Sequence, residues 1–133
     1  MTSHTWLPGK EDSQENRNNY MVYLNNQNNI VLPQGGKLFE GNGTDDLLSV
    51  DITEYGVKTS GKIGVVLAAD RHQGVETTRQ NMWAGIELKK AENTQHSEIL
   101  RQVVLQHLSA SYLNSDVGII TIMTDLCDRW HFF

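Results

Sequence analysis

Helical and strand-like hydrophobic patterns alternate along this chain, and polar runs mark the joints between them. Residues 14–24 bring Tyr20, Tyr23 and Leu24 to one helical side, with Ser13 placed to cap the first turn. The run Asn25-Asn26-Gln27-Asn28-Asn29 then favours a turn, and Ile30-Val31-Leu32 makes a short apolar contact that Pro33 ends. Residues 34–46 are rich in glycine around Leu38-Phe39 and read as a loop. Residues 47–55 alternate loosely in the manner of a strand. After punctuation at Gly56 and Ser60-Gly61, residues 63–69 (Ile-Gly-Val-Val-Leu-Ala-Ala) form a stronger one.

The polar stretch 70–80 has the character of a hairpin connection, so the strand around Gly64 is expected antiparallel to the next apolar run, residues 83–90. That run, Trp83-Ala84-Gly85-Ile86-Glu87-Leu88-Lys89-Lys90, is the segment around which the rest is organised. Strand alternation sends Ile86 and Leu88 into a core and puts Gly85, Glu87 and Lys89 on the other face. A carboxylate and an ammonium therefore lie side by side. Thr94 is the expected N-cap of a helix reaching Asn114. Ile99, Leu100, Val103, Val104, Leu108 and Tyr112 recur at helical spacing, with Leu100, Val104 and Leu108 as core positions. Residues 117–123 read as a buried strand, residues 125–129 as a turn, and Trp130-His131-Phe132-Phe133 as a closing aromatic run.

These elements fit one domain over residues 1–133, with residues 1–12 expected to be disordered and the core to span about residues 47–133. The exposed aromatic end reads as a point where the natural chain continues. A net charge of -5 and a pI near 5.4 exclude a lysine-coated binder of nucleic acid, while leaving room for a local basic patch. Cys127 is the sole cysteine, so neither an intrachain disulfide nor a cysteine zinc cage is expected, and a reducing compartment suits the chain. No run approaches the roughly 20 apolar residues of a membrane span, and the first residues lack a signal-peptide hydrophobic region. Gly35-Gly36-Lys37 lacks the length and ending of a phosphate loop. The five histidines fall at no metal-ligand spacing, and the serines have no nucleophile-elbow context.

The order strand, hairpin, strand with Glu-x-Lys, helix, strand resembles the core of the PD-(D/E)xK nucleases, and within them the nuclease-like C-terminal domain of Crinkler effectors. The resemblance rests on Gly85-Ile86-Glu87-Leu88-Lys89-Lys90, on Gln102 within Arg101-Gln102-Val103-Val104-Leu105-Gln106, and on residues 124–133, Thr-Asp-Leu-Cys-Asp-Arg-Trp-His-Phe-Phe. It covers about residues 60–133 and, weakly, the first helix. It implies an α/β fold of restriction-endonuclease-like core, a small central mixed sheet with flanking helices. The implied activity is Mg²⁺- or Mn²⁺-dependent hydrolysis of DNA by a secreted effector acting in a host cell, in its nucleus.

In that chemistry a hard cation held by carboxylate oxygens lowers the pKa of a bound water and neutralises developing charge. The resemblance makes Glu87 a metal ligand, Lys89 the group that orients water or steadies the phosphate, and Gln102 a hydrogen-bonding partner on the helix. Gln106, one turn on, competes with Gln102 for that place. Lys90 and Arg101 are the expected DNA contacts. The family's second acid stands on the preceding strand; here Gly61-Lys62-Ile63-Gly64-Val65-Val66 puts Gly64 there, and Asp70 is the candidate replacement ligand. Glu15 matches the place where some superfamily members carry another acid. The alternative expectation is a degenerate nuclease fold that binds nucleic acid or a host protein without cleaving, with oligomeric state left open. Trp83 and Trp130 are expected to pack rather than to stack on bases.

Overall fold

The computed structural model describes residues 2–41, 47–59, 61–70, 78 and 80–133. The elements are α1 (Gln14–Leu24), β1 (Gly36–Glu40), β2 (Val50–Ile52), β3 (Val57–Thr59), β4 (Val65–Ala69), β5 (Met82–Leu88), α2 (Ser97–Leu113), β6 (Ile120–Thr124) and β7 (Trp130–Phe132). A mixed five-stranded sheet runs in the order β1-β4-β5-β6-β7, and β2 pairs with β3 in a separate hairpin. The chain is thus α/β, with α1 and α2 on the main sheet's two faces.

The expected β4–β5 pairing is present and antiparallel, with Val65 opposite Ile86 and Val66 opposite Gly85. Strands β5 and β6 are parallel, Glu87 opposite Met123, because α2 carries the chain back to the same end of the sheet. A register shift between Leu67 and Ala68 breaks strict alternation, so Met82 packs on the α2 face while Ile86 and Leu88 pack on the α1 face. Cluster membership follows that division. Tyr20, Leu24, Leu38, Val65, Ile86, Leu88 and Leu126 form one apolar layer; Leu47, Leu48, Ile63, Val66, Ala68, Met82, Ala110 and Ile119 form the other.

Four expectations about the helices and strands are corrected by the fold. Residues 36–40, read as part of a glycine-rich loop, form edge strand β1, because every residue from Gly36 to Glu40 finds a partner on β4; residues 42–46 of that loop lie outside the described residues. Residues 57–59, not read as a strand, pair with β2, and Gly56 makes the turn in the left-handed region at φ 63°. Thr94 caps a 3-10 turn over Ala91–Asn93 through its hydroxyl on Ala91 O (2.9 Å), and α2 begins only at Ser97. The fourth is the rotation of α2. Its buried positions are Val103, Gln106, Ser109 and Ala110, while Val104 and Leu108 are 41% and 57% exposed. Small Ser109 and Ala110 let the helix lie close to the sheet, and the larger apolar residues turn outward.

Residues 2–12, expected to be disordered, lie as an ordered strap. His4 N–H donates to Leu126 O (3.1 Å), Trp6 Nε1 donates to Asp125 O (2.9 Å), and Asn16 of α1 bonds Leu7 and Lys10 through its side chain. Sequence periodicity misses this segment because its anchors are backbone groups distant in the chain. The expected Ser13 cap is present, its hydroxyl accepting from Asn16 N–H. The connection over residues 71–77 lies outside the described residues.

Candidate functional site

Glu87 sits on the α2 face of β5, and its neighbours account for both carboxylate oxygens. Lys89, two residues along the same strand face, places Nζ 3.1 Å from Oε1. Gln106 Nε2, on α2, donates to Oε2 at 3.1 Å, and Gly64 N–H donates to the same oxygen at 3.3 Å. Gln106 Nε2 also donates to Lys62 O at 2.6 Å, so one amide ties helix, strand and the β4 lead-in together. Its Oε1 is buried without a partner among the described residues.

Glu87 is 7% exposed. Burial pushes its pKa above the ordinary carboxylate value of 4.5, against the opposing pull of Lys89, Gln106 and the Gly64 amide. Desolvation is the largest of these influences. The carboxylate's charge is therefore balanced inside the protein by an ammonium and two N–H donors.

Above this cluster opens a cleft of about 860 Å³. Lys10 and Asp12 of the strap, Lys58 of β3, Lys62 before β4, and Glu98, Arg101, Gln102 and Leu105 of α2 form its walls, with Glu87, Lys89 and Gln106 at its base. Lys10, Lys58 and Arg101 have no ion-pair partner among the described residues. The cleft thus mixes five cations, Lys10, Lys58, Lys62, Lys89 and Arg101, with four acids, Glu11, Asp12, Glu87 and Glu98. The sequence shows no cluster there, because these cations lie on separate elements that only the fold brings together.

The structure brings Glu87 and Lys89 together as expected, and it corrects three other assignments. Gln102 lines the cleft wall, exposed, while Gln106 makes the contact with Glu87; the rotation of α2 decides between these residues one turn apart. Asp70 stands past the far end of β4 from Gly64, about 20 Å along an extended strand, and faces Lys37 at 3.7 Å. It is no partner of Glu87. Lys90 gives its ammonium to Gly9 O (2.6 Å), and Glu11 accepts from its N–H (2.9 Å), so it fastens the strap instead of facing the cleft. Arg101 does line the cleft. Glu15 is exposed on α1, away from it.

Mg²⁺ takes about six oxygens in near-octahedral geometry and is usually bound through one or two carboxylates, with waters and substrate phosphates completing its shell. Among the described residues no group of three or more Asp, Glu, His or Cys side chains converges. With Gly64 opposite Glu87 and Asp70 at the other strand end, the preceding strand brings no second acid beside Glu87.

Trp83 packs over Gly36, where an added Cβ would lie 2.8 Å from the indole. Trp130 packs on the α1-side core and donates Nε1–H to Cys127 O. No helix of the described residues is long and apolar enough to cross a membrane. No family model matches the chain, and neither a curated protein nor a solved structure matches it.

Proposed function

We propose that this chain is a restriction-endonuclease-like domain whose hydrolytic centre is closed, and that it holds the backbone of a nucleic acid in the α2 cleft without cutting it. The observation that carries this reading is the sealed Glu87 carboxylate, engaged by Lys89, Gln106 and the Gly64 N–H, beneath a wall bearing Lys10, Lys58 and Arg101. Convergence of a Glu-x-Lys strand with a helical glutamine supports descent from the nuclease arrangement. Gly64 supports loss of its chemistry.

Lys10, Lys58, Lys62 and Arg101 would meet phosphate oxygens as charge-assisted donors, with Arg101 the best suited to a two-point contact. Each neutralised phosphate releases counterions, so affinity falls with salt at a slope of about 0.7 to 0.9 per contact. Gln102 stands on the same wall for hydrogen bonding to sugar or base. The resemblance to Crinkler domains adds the reading that the domain meets DNA in a host nucleus.

The deciding experiment incubates purified chain with plasmid and linear DNA in Mg²⁺ or Mn²⁺ and in EDTA, and measures binding alongside cleavage. Salt-sensitive, EDTA-insensitive binding without cleavage, weakened by Arg101→Ala and Lys58→Ala, is expected. Metal-dependent cutting that disappears in Glu87→Ala would overturn the closed-centre reading and establish a nuclease. A chain that binds no nucleic acid at low salt removes the reading altogether and leaves a host protein as the partner to seek.

A further inference from the structure

The strap of residues 2–12 carries a histidine in an unusual place. His4 is 6% exposed, and its Nε2 is buried without a hydrogen-bond partner among the described residues. Its ring meets Trp6 edge-on at 5.1 Å and Tyr23 of α1 at 5.2 Å, and its backbone is clasped on both sides: N–H to Leu126 O, and O from Cys127 Sγ at 3.3 Å. The titratable groups packed around it are the Tyr23 phenol from α1 and the Cys127 thiol from the β6–β7 turn. The nearby Asp125 carboxylate is turned to the N–H groups of Cys127 and Arg129. No carboxylate pairs with His4 among the described residues.

The other end of the strap is held independently of His4: Lys10 O accepts from Asn16 Nδ2 at 2.8 Å and from Ser13 N–H at 3.2 Å. Lys90 Nζ holds Gly9 O, and Glu11 accepts from Lys90 N–H and from Asn93 Nδ2 at 2.6 Å. Lys10, Glu11 and Asp12 are also cleft residues. Whatever moves residues 2–12 therefore reshapes the cleft wall.

We propose that the strap is a proton-sensitive clamp: protonation of His4 expels its ring from between Trp6 and Tyr23, releases residues 2–6 from the Leu126 turn and leaves Lys10, Glu11 and Asp12 at the cleft held by Asn16, Lys90 and Asn93 alone. An imidazolium in this place is a charge without an acceptor, enclosed by apolar rings, and such a charge is stable only after the ring reaches water. Burial holds the His4 pKa below its ordinary 6.5, which has the same cause. A lowered pKa in the closed form means that the open form binds the proton more tightly. Closure is at full strength above pH 6.5 and weakens as pH falls below it. The clamp is a property of the chain alone; its consequence for nucleic-acid binding rests on the function proposed above.

Hydrogen exchange of the full chain, corrected for intrinsic rates, tests it at neutral pH and near pH 5.5. Opening of residues 2–6 is expected to rise by up to about tenfold at the lower pH in the wild type, and not in His4→Phe, which fills the pocket without titrating. Equal strap protection at both pH values overturns the clamp, as does an equal rise in His4→Phe, since another group would then be responsible. Should His4→Phe fold poorly, an NMR titration of the wild-type imidazoles decides. His4 must titrate below the ordinary imidazole value of 6.5, and a midpoint at or above it overturns the proposal. An oligonucleotide titration at the same two pH values separates the two readings: absence of binding at both ends the nucleic-acid function while exchange still reports on the clamp.

Discussion

The two faces of the main sheet are built from neighbouring residues of the same strands, yet they solve burial differently. On the α1 face, Tyr20 and Leu24 are fully buried against Val65, Ile86 and Leu88, and the only needs are apolar area and fit. On the α2 face, Gly64 just before β4 and Gly85 and Glu87 of β5 leave little apolar side chain, and the helix answers with Gln106, Ser109 and Ala110. One face closes as a core. The other closes around Val66, Ala68, Met82 and Ala110 but not beside Glu87, and the gap there is the cleft. A sheet face that carries a charge needs polar partners, and the helix that supplies them turns its own apolar residues away from the sheet.

The largest expected effect breaks the polar face. Lys89→Ala leaves a buried carboxylate without its cation and should cost about 3–5 kcal/mol in urea denaturation at neutral pH. The paired change Glu87→Gln with Lys89→Met should recover most of that loss, because an isosteric replacement of a buried ion pair is often neutral. A cost that the pair does not recover would mean that Lys89 acts through packing alone.

On the apolar face, Leu24→Ala should lower stability by about 2–5 kcal/mol at any pH between 4 and 8, the signature of a cavity and not of a charge. The contrast fails if this loss varies with pH as the Lys89 loss does. Gly64→Asp comes next, at about 1–3 kcal/mol, for two reasons. Its Cβ would stand 3.0 Å from Ile86 O, and its carboxylate would face Glu87. A stabilising response to Mg²⁺ in that variant and not in the wild type, read as a thermal shift, would show how close the scaffold lies to a metal centre.

Glu87 also leaves a mark in the pH profile. Its pKa is raised in the folded state, so the folded chain holds that proton more tightly than the unfolded chain. Its contribution to stability is fullest near or below pH 4.5 and declines as pH rises through the folded value. The difference between wild type and Glu87→Gln, measured by denaturation from acid to neutral pH, should show that decline. The smallest effect belongs to the outer side of α2. Leu108→Ala, at a position 57% exposed, should change stability by no more than about 0.5 kcal/mol, against several for Leu24→Ala.

Sequence alone determined which segments repeat with which period, and hence much of the secondary structure. Residues 14–24 read as a capped helix and are one; the strand around Val65, the strand carrying Glu87 and their antiparallel pairing were legible because alternation and helical spacing are local properties. The pairing of Glu87 with Lys89 was legible for the same reason, since two residues along a strand return to one face. The closing run was legible too, as strand, turn and aromatic strand, with Thr124 Oγ1 and Asp125 Oδ1 receiving the turn's N–H groups.

Tertiary structure decided what depends on partners distant in the chain. Strand β1 exists because β4 offers an edge, and residues 2–12 are ordered because α1 and the Leu126 turn present polar groups to bind them. The choice of Gln106 over Gln102 was set by the rotation of α2, and periodicity could not give it. The helix carries apolar residues on both sides, at Val103 and Ala110 as well as Val104 and Leu108, and only the Glu87 charge and the close approach at Ser109 select the buried one. Asp70 was separated from Glu87 by register, a property of two strands together. A period is written in neighbouring residues, whereas a site is a meeting of residues whose distance in sequence carries no information about their distance in space.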